Sequence, residues 1–274
     1  YTDTTGTEFA GTFDGGSTGQ DGNVAITYPA CGNNVMETVQ PLFGVNAGTV
    51  QNLVVKLQAT VNNWDTDMPF GMVAQANATG GKITNCKVIA AADVTEVAVS
   101  KREYAGSAVA GSIGGIVGVN DGMITDCSVG DAEAVIRIKG NASTDQSLGG
   151  IAAVNNGTIS LANSCINVIP EQSATYAGGL VGKNTGSVIL GANVELMGTG
   201  NSAWTAPFTY YGGLVGLSTG NITLNEIPTM SVDEKIATTK TETEYFAGGL
   251  VGKLENCSLT VNPDAQAKEL LVEL

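Results

Sequence analysis

The sequence contains no histidine among its 274 residues. This absence excludes a Ser-His or Cys-His nucleophile, a histidine general base and a histidine-ligated zinc ion. Positive charge is also scarce, because 12 lysines and arginines stand against 26 aspartates and glutamates, for a net charge of −14. Such a chain gains nothing from counterion release at phosphates, so no nucleic-acid partner is predicted.

Long apolar runs are absent too. No stretch approaches the ~18 apolar residues of a membrane-spanning helix, so we do not expect the chain to span a membrane. The sequence starts at Tyr1 without a charged and apolar leader, and we expect that a leader was removed. Charged residues make up only 14% and hydrophobic residues 43%, which excludes a disordered acidic tail.

Cysteines are few, odd in number and widely spaced. They are Cys31, Cys86, Cys127, Cys165 and Cys257. No Cys-x-x-Cys pair occurs, so neither a disulfide framework nor a cysteine-only zinc site is favoured.

Glycine is abundant, at 37 residues, and many glycines belong to an internal repeat. The clearest copies read Gly-Gly-Ile/Leu-Val-Gly. Seven copies align at a fifth position occupied by Gly44, Ala74, Gly118, Ala153, Gly182, Gly216 and Gly252. The spacing between copies varies, which indicates a constant structural unit with connections of variable length.

Each copy continues into a second pattern, with apolar residues at i, i+3 and i+5. Ile83, Cys86 and Val88 show it, as do the runs that start at Val50 and Ile124. Simple strand alternation would give i, i+2 and i+4, so one extra residue predicts a corner between two short strands. Leucine and cysteine share the middle position, and we therefore expect Cys86 and Cys127 to be buried, with Cys165 nearby.

Tight turns separate these strands. Asn-x-Gly recurs at Asn46, Asn120, Asn155 and Asn184, where asparagine and glycine suit left-handed backbone. We expect the asparagine side chains to form a ladder that satisfies turn backbone groups; ligand binding by their amides is the alternative.

A unit this short cannot cover its own apolar face, so the units must stack. We predict an all-β chain that forms a parallel β-solenoid, a right-handed β-helix of about seven rungs with terminal caps. The predicted single domain spans 1–274, with a cap and first rung over 1–40, repeats over 41–254, and a last rung and cap over 255–274. Within the final segment, Ala265–Leu271 is predicted as a closing strand rather than a short helix.

The glycine phrase, with its Asn-x-Gly and Ile-x-x-Cys-x-Val continuation, resembles the GLUG motif. Proteins with this motif include non-catalytic β-helical regions of immunoglobulin-A-cleaving metallopeptidases and adhesins of Bacteroides-type bacteria. The resemblance implies a secreted bacterial chain at the outer cell surface, held there by a lipid on a removed N-terminal segment or by another anchor. Ala74 and Ala153 depart from the motif glycine.

Aromatic residues are only 5% of the chain, and three occupy one repeat position. Tyr176, Tyr210 and Phe246 each lie two residues before a Gly-Gly pair. We expect them to stack as a ladder along one edge. The alternative is a surface strip on which sugar rings pack.

Both tryptophans lie in polar segments between repeats, where loops on a rigid scaffold often carry function. Trp64 with Asp65 and Asp67 is the best local candidate for a carbohydrate or calcium site, and Trp204 and Tyr210 are further candidate ligand-binding residues. A loop folded back, with tryptophan covering the coil, is the alternative. Asp14 and Asp21 form a second acidic turn, which lacks the spacing of a helix-loop-helix calcium loop.

Three functions follow as hypotheses. The first is a non-enzymatic adhesion or interaction module that binds glycan or cell-surface protein through loops, without cofactor. The second is a polysaccharide-degrading β-helix enzyme, for which no carboxylate pair stands out. The third is a stalk without a ligand.

Overall fold

The computed structural model describes residues 8–16, 24–28, 39–63, 68–101, 111–140, 145–171, 174–198, 208–233, 246–262 and 271–273. All regular structure in this part is β, and the strand pairs of all five sheets are parallel. Because each strand pairs with its equivalent one repeat away, the chain is a parallel β-solenoid, as predicted. No helix long and apolar enough to cross a membrane occurs among these residues.

The chain visits five sheets, defined by their strands below, in the cyclic order 4, 5, 1, 2 and 3, and sheet 3 has a strand in only four of the described coils. Sheet 1 contains Thr12–Asp14, Thr49–Gln51, Lys82–Thr84, Met123–Thr125, Thr158–Leu161, Ser187–Leu190, Ile222–Leu224 and Leu259–Val261. Sheet 2 contains Ala25–Tyr28, Val54–Leu57, Lys87–Ala90, Ser128–Val129, Ser164–Ile166, Val194–Gly198, Thr229–Asp233 and Leu271–Glu273. Sheet 3 contains Val61–Asn63, Glu96–Lys101, Val135–Lys139 and Val168–Glu171.

The remaining two sheets hold the glycine phrase. Sheet 4 contains Phe70–Gly71, Ile113–Gly114, Ser147–Gly149, Ala174–Gly178, Phe208–Gly212 and Phe246–Gly248. Sheet 5 contains Phe43–Asn46, Ala74–Asn77, Val117–Asn120, Ala152–Asn155, Val181–Asn184, Val215–Ser218 and Val251–Leu254.

The corner between sheets 1 and 2 is built as the apolar pattern predicts. Ile83, Cys86 and Val88 are all fully buried. Between them, Asn85 has a φ of 49°, and Asp126 has a φ of 51° at the same corner of the next coil. This left-handed residue turns the chain, so one position is skipped and both strands still point apolar side chains inward.

The Gly-Gly pair sits at the sharp corner between sheets 4 and 5. A Cβ added to Gly149 would lie less than 3.0 Å from the carbonyl oxygen of Ala152, three residues further on. A Cβ added to Gly150 would lie equally close to the carbonyl oxygen of Gly179 in the next coil. The first glycine therefore permits the bend within a coil, and the second permits the approach of successive coils.

The second copy of the phrase is shifted by one residue from its predicted alignment. Phe70 pairs with Ile113 and Ala74 pairs with Val117, so Gln75, not Ala74, is the equivalent of Gly118. The prediction was wrong here because the copy contains one glycine, Gly71, and that glycine occupies the first position of the pair.

The predicted asparagine ladder is confirmed and is longer than expected. From Asn46 onward, each side-chain Nδ2 donates to the Oδ1 of the next asparagine, at 2.7–2.8 Å, and the last donates to a serine hydroxyl at 2.9 Å. The members are Asn46, Asn77, Asn120, Asn155, Asn184 and Ser218. All are fully buried, and the asparagine amides also donate to turn carbonyls, so the ladder satisfies the turn backbone as predicted.

The cysteines divide into two groups. Cys86 and Cys127 are fully buried in the core, as predicted. Cys165 is only partly buried, because it pairs with Glu195 one position away from the inward residue Ser164. Cys257 is partly buried and donates to the carbonyl of Ser218. Cys31 lies outside the described residues.

Several expectations stay predictions: the right hand, the number of rungs and the domain boundaries. Of the closing segment Ala265–Leu271, only Leu271 belongs to the described part of the chain, where it begins the last strand of sheet 2. Residues 265–270 lie outside it.

Candidate functional site

Of the five predicted ligand-binding residues, the structure describes Tyr210. Trp64, Asp65, Asp67 and Trp204 lie outside the described residues. The segments that contain them, 64–67 and 199–207, both precede a strand of sheet 4, and Tyr210 lies within a strand of that sheet. The strand that follows Trp64, Phe70–Gly71, forms one edge of sheet 4, whereas the strand that follows Trp204, Phe208–Gly212, lies next to the opposite edge.

The three ring residues at the repeat position of Tyr210 stack on one another, as predicted. Tyr176 pairs with Tyr210, and Tyr210 pairs with Phe246, in successive strands of sheet 4. The ring centroids are 5.3 Å and 5.2 Å apart, and the ring planes differ by 11° and 7°. Each stacked pair contributes ~0.5–1.5 kcal/mol beyond its buried area.

Two lysines from sheet 5 lie beside these rings. Lys183 Nζ is 5.2 Å from the ring centroid of Tyr176. Lys253 Nζ is 5.1 Å from the centroid of Phe246 and 5.8 Å from that of Tyr210. These distances are typical of cation–π contacts.

Leu217 lies between the two lysines, because Lys183, Leu217 and Lys253 are in register in sheet 5. We call the six residues the aromatic strip. They are Tyr176, Tyr210, Phe246, Lys183, Leu217 and Lys253. Leu217 is buried and the other five side chains are partly buried, so only part of each ring and each lysine reaches the surface.

The stacking decides which parts of the rings a ligand can reach. Both faces of Tyr210 are directed at neighbouring rings, so a sugar cannot pack flat on that residue. Ring edges, the two phenol hydroxyls and the two ammonium groups are what the strip offers. Burial, together with Asp145 and Tyr210, raises the pKa of the Tyr176 hydroxyl, so this hydroxyl remains a hydrogen-bond donor at neutral pH.

The strip is confined to one end of the described solenoid. In the preceding coil, Ser147 occupies the position of Tyr176 and Val154 occupies the position of Lys183. One coil earlier, Val119 again stands at the lysine position. The rows along sheets 4 and 5 therefore change from small and aliphatic residues to aromatic and cationic ones.

A separate cluster of charged residues lies on sheet 3. Arg137 Nε is 2.7 Å from Glu96 Oε1, its Nη1 contacts Glu171 Oε1, and Lys139 Nζ is 3.5 Å from Glu171 Oε2. Burial alone would lower the pKa of Arg137, but the two carboxylates outweigh it and raise that pKa. A guanidinium held in this way ties three successive coils together and is unsuited to accept a proton.

The acidic turn at Asp14 has a structural explanation. Asp14 accepts hydrogen bonds from Asn52 Nδ2 at 2.9 Å, from Gln51 Nε2 at 2.7 Å and from the Gly16 backbone at 2.9 Å. These bonds lower the pKa of Asp14, with Asn52 as the largest contribution. Asp21 lies outside the described residues, among which no three cysteine, aspartate or glutamate side chains are grouped to hold a metal ion.

The sequence interpretation missed the contribution of sheet 5 to the strip. A signal was present, because Gly-Gly-Leu-Val-Gly-Lys begins at Gly178 and again at Gly248, and each time its lysine lies seven residues after an aromatic residue. Sheets 4 and 5 meet at the glycine corner, and this fold brings the lysine beside the ring.

Comparisons with protein-family models, with curated proteins and with solved structures find no match of any of the three kinds. The resemblance to GLUG-motif proteins therefore stays a prediction from the motif residues.

Proposed function

We propose that the chain is a non-enzymatic adhesion or interaction module at the outer surface of a bacterial cell. It binds a glycan or a cell-surface protein through the aromatic strip and through the connections that enter sheet 4, one of which, 64–69, enters at the opposite end of that sheet from the strip. The observation that carries the proposal is the strip itself, in which three stacked rings and two lysines lie partly exposed on a regular scaffold.

The scaffold supports this function because it holds the strip in one geometry. Tyr176 and Tyr210 lie on adjacent strands of a parallel sheet, and the buried asparagine ladder runs through the adjoining sheet 5. A ligand that spans several coils meets groups already in place, so binding loses little conformational entropy.

The connections into sheet 4 add a second reason. The connections 64–69 and 199–207 differ in length, and both lead into a strand of this sheet, whereas the strands of the sheet keep their register. Variable segments on an invariant scaffold are where binding specificity usually resides. Trp64, Asp65, Asp67 and Trp204 remain candidate ligand residues for this reason.

The test is retention of the full chain on arrays of glycans and of extracellular-matrix proteins. We expect retention, and we expect about 10-fold weaker binding for Tyr176→Ala, Trp64→Ala or Trp204→Ala, since truncating a central aromatic contact costs ~1–2 kcal/mol. Met123→Ala is the matched control, because Met123 is an exposed apolar side chain on sheet 1. It should leave binding unchanged.

Two results would contradict the proposal. Release of reducing ends or unsaturated products from a polysaccharide panel, abolished by one carboxylate substitution, would assign the chain to the enzymes. Absence of retention on both arrays would leave the stalk hypothesis.

A further inference from the structure

We propose that the aromatic strip binds an acidic polysaccharide in which every second sugar carries a carboxylate, with the glycan lying along the solenoid axis. This inference rests on the proposed function and specifies its ligand class. It is carried by the spacing and the hydrogen-bonding chemistry of the strip.

The two lysines set the repeat of the ligand. Lys183 and Lys253 are two strands apart in sheet 5, with Leu217 between them. Neighbouring strands lie ~4.8 Å apart, so the two positions are separated by ~10 Å along the axis. One pyranose residue in an extended chain advances by about the same distance as one strand. Carboxylates on alternate sugars therefore match the lysines, and the uncharged sugar between them lies at Leu217.

The polar groups of the strip are donors. Each ammonium group has three N–H donors and no acceptor, and the two tyrosine hydroxyls can donate as well. Among the described residues, neither the Tyr176 nor the Tyr210 hydroxyl has a hydrogen-bond partner, whereas the hydroxyl of the partly buried Tyr28 donates to the carbonyl of Gln40. Donors in a row favour a ligand rich in acceptors, and bonds to a carboxylate are the strongest of these.

Negative charge on the protein acts against the ligand and also supplies a test. The net charge of −14 repels a polyanion at long range, but at physiological ionic strength charges more than ~8 Å away are largely screened. Two carboxylates act close to the strip. Asp145 acts on the Tyr176 hydroxyl, and Glu255 Oε1 lies 3.5 Å from Lys253 Nζ, where both side chains are partly exposed. Such an exposed pair is weak, so a ligand carboxylate can replace Glu255.

The ligand experiment uses the full chain and a hyaluronan decasaccharide, which alternates glucuronate with N-acetylglucosamine, in titration calorimetry. The matched ligand is the same decasaccharide after reduction of its carboxyl groups to alcohols. We expect binding of the acid form and at least about 10-fold weaker binding of the reduced form, as for loss of two charge-assisted contacts. Equal binding of both forms would overturn the inference.

The variant experiment separates the strip from the overall charge. The double variant Lys183→Met/Lys253→Met should bind the acid form about 10-fold more weakly. The control Lys82→Met/Lys87→Met removes the same charge from exposed positions on sheets 1 and 2 and should change binding less than about 2-fold. Glu255→Gln should strengthen binding about 2- to 3-fold because it removes the competing carboxylate. Equal losses in the two double variants would contradict the inference.

Two further outcomes distinguish this inference from the proposed function. Retention on neutral glycans or proteins that Tyr176→Ala weakens and the lysine variants do not would refute the acidic ligand and leave the adhesion module standing. No retention on any glycan or protein would refute both. Far-UV circular dichroism and thermal unfolding of each variant establish that a loss of binding is not a loss of fold.

Discussion

Replacing one buried asparagine of the ladder by aspartate tests how the coils are held together. Asn155 is fully buried; it accepts from Asn120 Nδ2 at 2.7 Å and donates to Asn184 Oδ1 at 2.7 Å and to the Ser187 carbonyl at 3.2 Å. Asn155→Asp keeps the shape and the acceptor but removes these donations, together with a longer one to the Gly157 carbonyl at 3.4 Å. It therefore opens no cavity.

The expected cost follows from the acceptors left without this donor, chiefly Asn184 Oδ1 and the Ser187 carbonyl, which hold its shorter hydrogen bonds. One buried acceptor without a partner costs about 1–3 kcal/mol. Adding the repulsion between the new carboxyl and the neighbouring oxygens, we expect Asn155→Asp to lower the free energy of unfolding by about 3–5 kcal/mol at neutral pH. Urea unfolding followed by circular dichroism measures it as a lower midpoint.

The destabilisation caused by Asn155→Asp should depend on pH in a direction that can be worked out. Burial among oxygen atoms raises the folded-state pKa of the introduced carboxyl above its unfolded value of about 3.9. A raised folded pKa contributes stability that is present below the unfolded pKa and is lost as pH rises through the folded one. The difference in the free energy of unfolding between the variant and the native chain should therefore be smaller at pH 4.5 and larger at pH 8.

The matched control is Asn85→Asp, at the exposed corner between sheets 1 and 2. Asp126 naturally occupies the equivalent corner of the next coil with the same left-handed backbone, so the geometry accepts a carboxylate there. Asn85 donates one exposed hydrogen bond, to Asn52 Oδ1 at 2.8 Å, and its loss should cost at most about 1 kcal/mol. Equal destabilisation of the two variants, or a gap that widens in acid, would refute the reasoning.

Three other substitutions probe the core, the glycine corner and the acid limit of stability. Leu180→Asp should lower the free energy of unfolding by about 4 kcal/mol or more, and Leu250→Asp by less, because Leu180 is fully buried and Leu250 is only partly buried. An unchanged melting temperature for Leu180→Asp would contradict this expectation. Gly149→Ala should lower the free energy of unfolding by at least about 2 kcal/mol, because its Cβ meets a backbone carbonyl. Gly44→Ala, with open space around its Cβ, should be neutral, and similar melting temperatures for the two variants would be inconsistent with the bend described. Asp14, whose pKa is lowered in the folded state, contributes stability that is present above the unfolded pKa of about 3.9 and is lost as pH falls below it toward the lower folded pKa. The melting temperature of Asp14→Asn should therefore decline less between pH 5 and pH 3 than that of the native chain, and parallel declines would argue against the role of its hydrogen bonds.

Features set by local geometry could be predicted from the sequence. The corner at Asn85 needs one left-handed residue, and this residue adds one position to the apolar spacing between Ile83 and Cys86, which is visible in the sequence. The rings of Tyr176 and Tyr210 share one offset from the glycine pair, so stacking of equivalent coils places them together.

Features set by pairing between distant coils could not be predicted in the same way. The second repeat has one glycine, and only its contact with the neighbouring coil identifies Gly71 as the equivalent of Gly114. The corner before Cys165 contains two more residues than the equivalent corner before Ser128. The longer corner shifts the register of the strand that follows it, and no distinctive residue type in the sequence marks this shift.

Every amide in the buried column that starts at Asn46 points its N–H toward the C-terminal end, which gives the solenoid a polar axis. Aligned amides polarise one another, so each hydrogen bond in such a chain is strengthened by those behind it. The series closes where the Ser218 hydroxyl accepts from Asn184 and donates to the Gly220 carbonyl of its own coil. A coil inserted into the middle, with its own asparagine, would both receive and pass on a hydrogen bond. The length of this protein can therefore grow from within while its two ends stay the same.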